Sequence, residues 1–439
     1  MKRILMIAYY FPPVAGGGVQ RSLKFCKYLP GLGWKPFVLT VREPYDYYGD
    51  DSLERDIHPD VQICRSASIE PMKMIRKWLR KKSALRSQIR ENRVVQQGGV
   101  KKHAWLLTLK ESLFIPDGEI GWLPFAVLKG WSVIRKYKID LIYSTSCPYT
   151  SHLIALMLKK LCRIPWVADF RDPWSVVSRR YGLSWRLLVD EWLERRVLYR
   201  ADRVIAVTEP IVHDFQAVYP SGKYGVITNG YDEADFVNVG KNRYNQKKFT
   251  VTYTGILYEN RSPAVFLKAV NRMLDQQPGL RKMISIRIVG QLDNPGETFN
   301  SEILKSMHLD DVVEVIPYVS HRESIEYAMS SDVLLLIVDS CEGNEGIMTG
   351  KIFEYLRCRK PILALAPAGG VAAKVVHKTQ SGLVVSPDSA KEIQHALNRL
   401  YTAYQQNKIS SFCRSGDIEI YSRYRLTEHL ARLCDTMVL

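Results

Sequence analysis

The sequence predicts an α/β protein made of two doubly wound parallel-sheet domains in tandem. Three observations predict it. Short apolar, β-rich runs alternate with segments of helical length, the pattern of parallel βαβ units whose sheet is covered on both faces. The alternation pauses over a polar stretch at residues 229–248 and then restarts. At 439 residues the chain is also too long for one ordinary core, and its 46% apolar and 24% charged residues are the balance of a folded protein.

Taken in order, residues 4–9 read as the first strand and 19–32 as a helical segment that ends near Pro30. Strands at 37–41 and 61–64 follow. The strand 140–144 precedes a helix at 150–162, and the strand 166–170 a helix at 185–199. A strand at 203–207, a helix near 210–218 and a strand at 224–228 close the first series. The second series places strands at 250–254, 285–289, 313–316, 333–338, 361–364 and 382–385, each followed by a helical segment. The expected limits are a first domain at 1–235, a linker at 236–248, a second domain at 249–415 and a C-terminal helix within 416–439, a candidate to pack back on the first domain. Ligands of such sheets sit beyond the carboxyl ends of the strands.

The start, Met1-Lys2-Arg3 and an apolar run, imitates an export signal. The run stops at Phe11-Pro12-Pro13 with no evident cleavage site, so a buried strand is expected. The eight cysteines are scattered without a CxxC pair and are expected to be reduced thiols, which points to the cytoplasm. No apolar run approaches the ~20 residues of a membrane-spanning helix. The net charge of +17 is concentrated: residues 71–102 hold eleven basic residues against one acid, Glu91. Within that segment Met72, Ile75, Trp78 and Leu79 share one helical face. This suits either a helix lying on an anionic membrane at the inner face of the cell membrane, or a basic helix packed on its own domain.

Four motifs carry candidate chemistry. After the first strand, Gly16-Gly17-Gly18 opens a helix and lets the backbone approach an anion. A dinucleotide fingerprint needs a third glycine where Arg21 stands, although Glu43 lies at a distance suited to a ribose. Asp169, Arg171 and Asp172 sit at the end of a strand, either as a self-satisfied cluster or as a site. Arg261 follows the strand end Thr254-Gly255, where it could grip a diphosphate or remain a solvated charge. In the fourth, Thr349-Gly350 precede Lys351, and Glu354 lies one helical turn on. That arrangement suits phosphates at a helix start with a ribose beside them, or else an ordinary surface ion pair.

In this order and at this separation, the segments resemble glycosyltransferase family 4, whose members have the GT-B fold of two Rossmann-like domains facing across a cleft. The resemblance spans nearly the whole chain. It rests on Gly16–Gly18, Ile115-Pro116-Asp117 with Ile120-Gly121-Trp122, and the run from Trp166 to Trp174. It continues with Thr228-Asn229-Gly230-Tyr231-Asp232 and Phe236, Thr254-Gly255 with Tyr258 and Arg261, and the run from Lys351 to Leu356.

The resemblance implies a retaining sugar transfer from a nucleotide-diphosphate sugar, with no required metal or cofactor, to a glycan or lipid-linked acceptor, in surface polysaccharide biosynthesis. It implies that Arg261 and Lys351 neutralise the diphosphate, that Thr349 and Gly350 lie beside it, and that Gly17 and Gly18 close over the phosphates. Glu354 would hold the ribose. Arg171 takes the strand-end place where many relatives carry a histidine, so Arg171, Asp169 and Asp172 are the catalytic candidates. Two departures stand out. Gly346 occupies the place of a first glutamate eight residues before Glu354, with Glu342 and Glu345 near but out of register. Ile256 replaces a frequent arginine. A nucleotide-sugar epimerase of the same plan is the enzymatic alternative, with a dinucleotide-dependent dehydrogenase ranking lower. The non-enzymatic alternative, nucleic-acid binding through the basic charge, lacks any accompanying recognition motif, so no nucleic-acid partner is expected.

Overall fold

The computed structural model of the chain describes residues 1–14, 17–42, 50–69, 114–175, 184–237, 239, 248–258, 260–293, 298–338, 344–346, 348–414 and 416–438. It divides into two compact units, Met1–Thr228 with Thr427–Leu439, and Asn229–Leu426. Each is a parallel sheet with helices.

In the first unit the strands are β1 (Lys2–Ile7), β2 (Trp34–Val41), β3 (Gln62–Ser66), β4 (Leu141–Thr145), β5 (Trp166–Phe170), β6 (Arg203–Ala206) and β7 (Tyr224–Val226). They pair in the order β3-β2-β1-β4-β5-β6-β7, all parallel. The helices are α1 (Gly17–Tyr28), α2 (Leu123–Tyr137), α3 (Thr150–Cys162), α4 (Ser184–Arg200) and α5 (Glu209–Val218). A short 3-10 turn, Leu29–Leu32, carries Pro30 and ends the α1 segment. Strands such as β4 and β5 are buried along their whole length, because helices cover both faces of a parallel sheet.

The second unit has β8 (Phe249–Ile256), β9 (Ile284–Gln291), β10 (Val313–Ile316), β11 (Val333–Ile337), β12 (Ile362–Leu365) and β13 (Gly382–Val385) in the order β10-β9-β8-β11-β12-β13. Its helices are α6 (Ala264–Gln276), α7 (Phe299–Ser306), α8 (His321–Met329), α9 (Lys351–Cys358), α10 (Val371–Thr379) and α11 (Ala390–Gln405). Two clusters of buried apolar side chains contribute to the core: one includes Tyr253, Phe266, Leu335 and Leu400, the other Phe236, Leu334, Phe353 and Leu356. Every described cysteine is a free thiol.

The predicted strands appear within a few residues of their expected ends. The boundaries between units lie elsewhere. Residues expected to end the first domain belong to the second unit, since the Tyr231 N–H donates to the Tyr421 carbonyl at 3.1 Å and Tyr231 lies beside Phe236 in the second unit's core. The second unit runs on to Leu426, and the last helix, α12 (Arg423–Asp435), then carries the chain into the first. There Lys2 and the Trp34 indole donate to Asp435 at 3.0 and 3.1 Å. Of the expected linker, 236, 237, 239 and 248 are described. The basic segment 71–102, with Glu43 and Glu342, lies outside the described residues.

The strand orders locate the places where a ligand can approach. β1 lies between β2 and β4, and β8 between β9 and β11, so the connections of each sheet diverge at these strands. Carboxyl ends at such switch points are left open by the diverging connections. α1 follows β1 after a short loop, and Gly255 is the next-to-last residue of β8.

Candidate functional site

The end of β8 is shaped by two glycines. Gly255 and Gly290 are in register across β8 and β9 and have φ of +114° and +127°. A Cβ at Gly255 would lie 2.7 Å from the Lys351 ammonium, and one at Gly290 would lie 2.4 Å from the Gly255 carbonyl oxygen. Only residues without a side chain bring the two strands' backbones and the lysine this close.

Lys351 opens α9 and reaches back over β8. Its Nζ donates to the Tyr253 hydroxyl at 2.8 Å and to the Thr254 carbonyl at 2.6 Å, and sits 4.0 Å from the Tyr253 ring centre. Arg261 hydrogen-bonds the same hydroxyl and lies over the Tyr258 ring at 5.1 Å. The Tyr253 hydroxyl itself donates to the Ile256 carbonyl at 2.9 Å. Burial pushes the Tyr253 phenol well above its ordinary range, although Arg261 draws it down. The helix is fastened to the strand by the buried Tyr355 hydroxyl, which accepts from the Thr254 N–H at 2.9 Å. The α9 start has no side-chain cap from Gly350, and the Thr349 hydroxyl is buried without a hydrogen-bond partner among the described residues.

One turn on, Glu354 accepts a hydrogen bond from His321 Nε2 at 2.9 Å. Burial alone would raise the Glu354 carboxyl. His321, Arg423 and Lys351 outweigh it and hold the group below its usual value, as a carboxylate. Lys351 and Glu354 thus turn to different partners. Glu345 stands on the short turn Asn344–Gly346, next to Gly370.

The first unit's candidates separate. Asp169 is fully buried, and Arg21 donates to its two oxygens at 2.7 and 2.8 Å. Tyr143 and Thr145 hydroxyls donate to it as well. This carboxylate has no exposed surface and forms an internal ion pair at the strand end. Arg171 donates to the Gly18 carbonyl at 3.3 Å, which ties the end of β5 to the start of α1. Asp172 is exposed and faces the Cys147 thiol at 3.7 Å. Gly17 and Gly18 are the first residues of α1.

The sequence reading missed Arg21, Tyr253 and His321. Arg21 had a signal: it stands where a dinucleotide fingerprint would have glycine, and a buried arginine at a helix's second turn calls for a buried acid. His321 had none, because its pairing with Glu354 joins elements 33 residues apart.

Comparison with known proteins agrees with this architecture. Residues 94–235 match the family Glycosyltransferase Family 4, and residues 248–403 match Glycosyl transferases group 1. D-inositol 3-phosphate glycosyltransferases of Streptosporangium roseum and Kineococcus radiotolerans are 24% and 23% identical over 217 and 188 residues, which are 47% and 40% of this chain and 48% and 42% of theirs. The chain spans about half the length of these curated relatives. Among solved structures, Anabaena HepE in complex with UDP-glucose superposes with a TM-score of 0.64 at 14% identity, over 99% of this chain and 100% of that one. Sucrose-phosphate synthase from Thermosynechococcus elongatus does so at 0.62 and 16% identity, over 99% of each chain. With both units matched to these families, the chain belongs to the GT4-type glycosyltransferases of GT-B fold.

Proposed function

We propose that the enzyme transfers a sugar with retention from a nucleotide-diphosphate sugar to a glycan or lipid-linked acceptor, within surface polysaccharide biosynthesis. The observation that carries the donor half is the convergence of Lys351 and Arg261 on one buried hydroxyl beside the start of α9. Two cations drawn to one point repel, and an anion between them turns that cost into attraction. The unpartnered Thr349 hydroxyl supports the same reading, since a buried polar group left unmet costs about 1–3 kcal/mol. A phosphate oxygen would satisfy it.

In this reading the leaving diphosphate develops charge that Lys351 and Arg261 meet without rearrangement. Glu354, kept ionised, accepts the ribose hydroxyls, and His321 holds it in position. Leaving-group stabilisation then comes from side chains, so turnover should survive chelation of divalent cations. Arg171 and Asp172 remain candidates for the acceptor and the transferred sugar; Asp169 supports them through Arg21. The UDP-glucose complex of the Anabaena protein favours a nucleotide sugar as donor, and the inositol phosphate enzymes favour a hydroxyl acceptor.

The test is a thermal shift with UDP, GDP and ADP at millimolar concentration, since a ligand of the native state raises its stability. A shift with one of them that Glu354→Ala reduces supports the assignment. No shift with any would sink the donor site, and unchanged affinity in Glu354→Ala would remove Glu354 from it. An epimerase would release an altered sugar nucleotide without any acceptor, which product analysis distinguishes.

A further inference from the structure

The helix α4 carries large apolar side chains on its outward face as well as the buried Val197 and Leu198 on its inward one. Its inward face carries Arg186, Asp190 and Glu194, all buried. There Asp190 accepts the Trp174 indole N–H at 2.9 Å, and Glu194 accepts the Trp174 backbone N–H at 3.0 Å. Its outward face carries Trp185, Leu188, Val189, Trp192 and Tyr199, each between 37% and 68% exposed. At about 100° per residue these five fall within one arc of the helix. A helix on a water-soluble surface ordinarily turns polar and charged residues outward.

The same arc holds charge of one sign. Arg195, Arg196 and Arg200 are exposed on it. Arg196 lies over the Trp192 ring at 4.8 Å, and Arg200 over Tyr199 at 5.5 Å. The nearest acid of the helix, Glu191, is half-buried at the margin. On α2 the exposed Trp131 carries Arg135 over its ring at 5.6 Å, so the pairing of ring and arginine recurs. Both helices pack against α3 in one layer of the unit.

We propose that this outer face of α4 docks on an anionic lipid bilayer, with the helix lying in the plane of the headgroups. Tryptophan and tyrosine prefer that depth, where an apolar ring is buried and its polar edge stays wet. Arginines beside the rings reach lipid phosphates while their stems cover apolar surface. The charge favours this occupant over a second copy of the chain. A two-fold contact would set the arginines of one copy against those of the other, with no acid on the arc to pair them. The inference does not depend on the donor or acceptor assigned above, and it concerns a segment distinct from the basic residues 71–102.

The experiment is flotation of the full chain with phosphatidylcholine vesicles, with and without phosphatidylglycerol. Two variants accompany it: Trp185→Ser/Leu188→Ser/Trp192→Ser, and Arg195→Glu/Arg196→Glu/Arg200→Glu. Circular dichroism melting verifies that both fold, as their exposed positions lead us to expect. The wild type should float with the anionic vesicles, and the apolar variant should partition roughly tenfold or more weakly. The arginine variant should lose the preference for phosphatidylglycerol. Equal flotation of the apolar variant, which is what binding through another segment would give, overturns the proposal. So does a wild type that fails to float, or one that is a dimer in solution and becomes monomeric in the apolar variant without any vesicle binding.

Discussion

Replacing Asp169 by asparagine separates a structural from a chemical role for this strand-end carboxylate. The change keeps the shape and one acceptor oxygen. Arg21 retains its bonds to the Thr228 and Ile227 carbonyls, both at 2.8 Å, but its guanidinium, like Asp169, has no exposed surface. It is left buried without a counter-charge, a loss of about 3–5 kcal/mol for a broken buried pair. That is a large part of the roughly 5–15 kcal/mol that holds a domain folded. With a urea slope of about 1–3 kcal/mol per molar, the midpoint should fall by roughly 1–5 M. Tryptophan fluorescence reads it cleanly, because all nine tryptophans of the sequence precede residue 229 and report on the first unit. The double variant Arg21→Met/Asp169→Leu should regain much of the lost stability, since apolar replacement of both partners removes the desolvation cost.

The acid dependence has a defined sign. Burial pushes the Asp169 carboxyl up, but Arg21, Tyr143 and Thr145 more than offset it, and the group titrates below its ordinary range. Its contribution is therefore complete above the unfolded-chain value and is lost as pH falls through the lower folded-state value. A single Asp169→Asn variant whose urea midpoint matches the wild type while sugar transfer disappears would refute this reasoning and return the residue to the catalytic group.

Other outcomes follow from the same structure. Gly255→Ala forces a side chain to φ +114° and against the Lys351 ammonium, so it should cost about 1–3 kcal/mol in the second unit's melt and weaken nucleotide binding together. A variant that melts and binds UDP like the wild type contradicts the close approach. The buried His152, whose ring nitrogen pairs with Ser144 at 2.8 Å, is pushed down by burial to about 3. It stays neutral in the fold while the unfolded chain takes up a proton below about pH 6.5, so stability is full above that pH and declines by at most about 1.4 kcal/mol per unit below it, until the folded-state value is reached. His152→Gln should flatten that slope in urea titrations between these limits, and an unaltered slope places the acid sensitivity elsewhere.

The strand alternation was legible in the chain because each buried parallel strand needs a continuous apolar run, as Val333–Ile337 shows. The restart of that alternation after residue 248 likewise exposed the second sheet. The glycine near the end of β8 and the helix start at Thr349-Gly350-Lys351 were legible too, since backbone conformation and helix ends are local properties. What remained hidden depends on contacts across the sequence. Asp169 and Arg21 are 148 residues apart, and only the pairing of β1, β4 and β5 brings them together in a dry interior, where charge compels pairing. Lys351 and Glu354 read locally as a surface pair. Tertiary structure turns one to Tyr253 and the other to His321, because β8 and α8 present those partners on either side of α9. The outward tryptophans of α4 belong to the same class: the sequence mixes charged and apolar residues around the helix, and only its packing decides which of them meet the core.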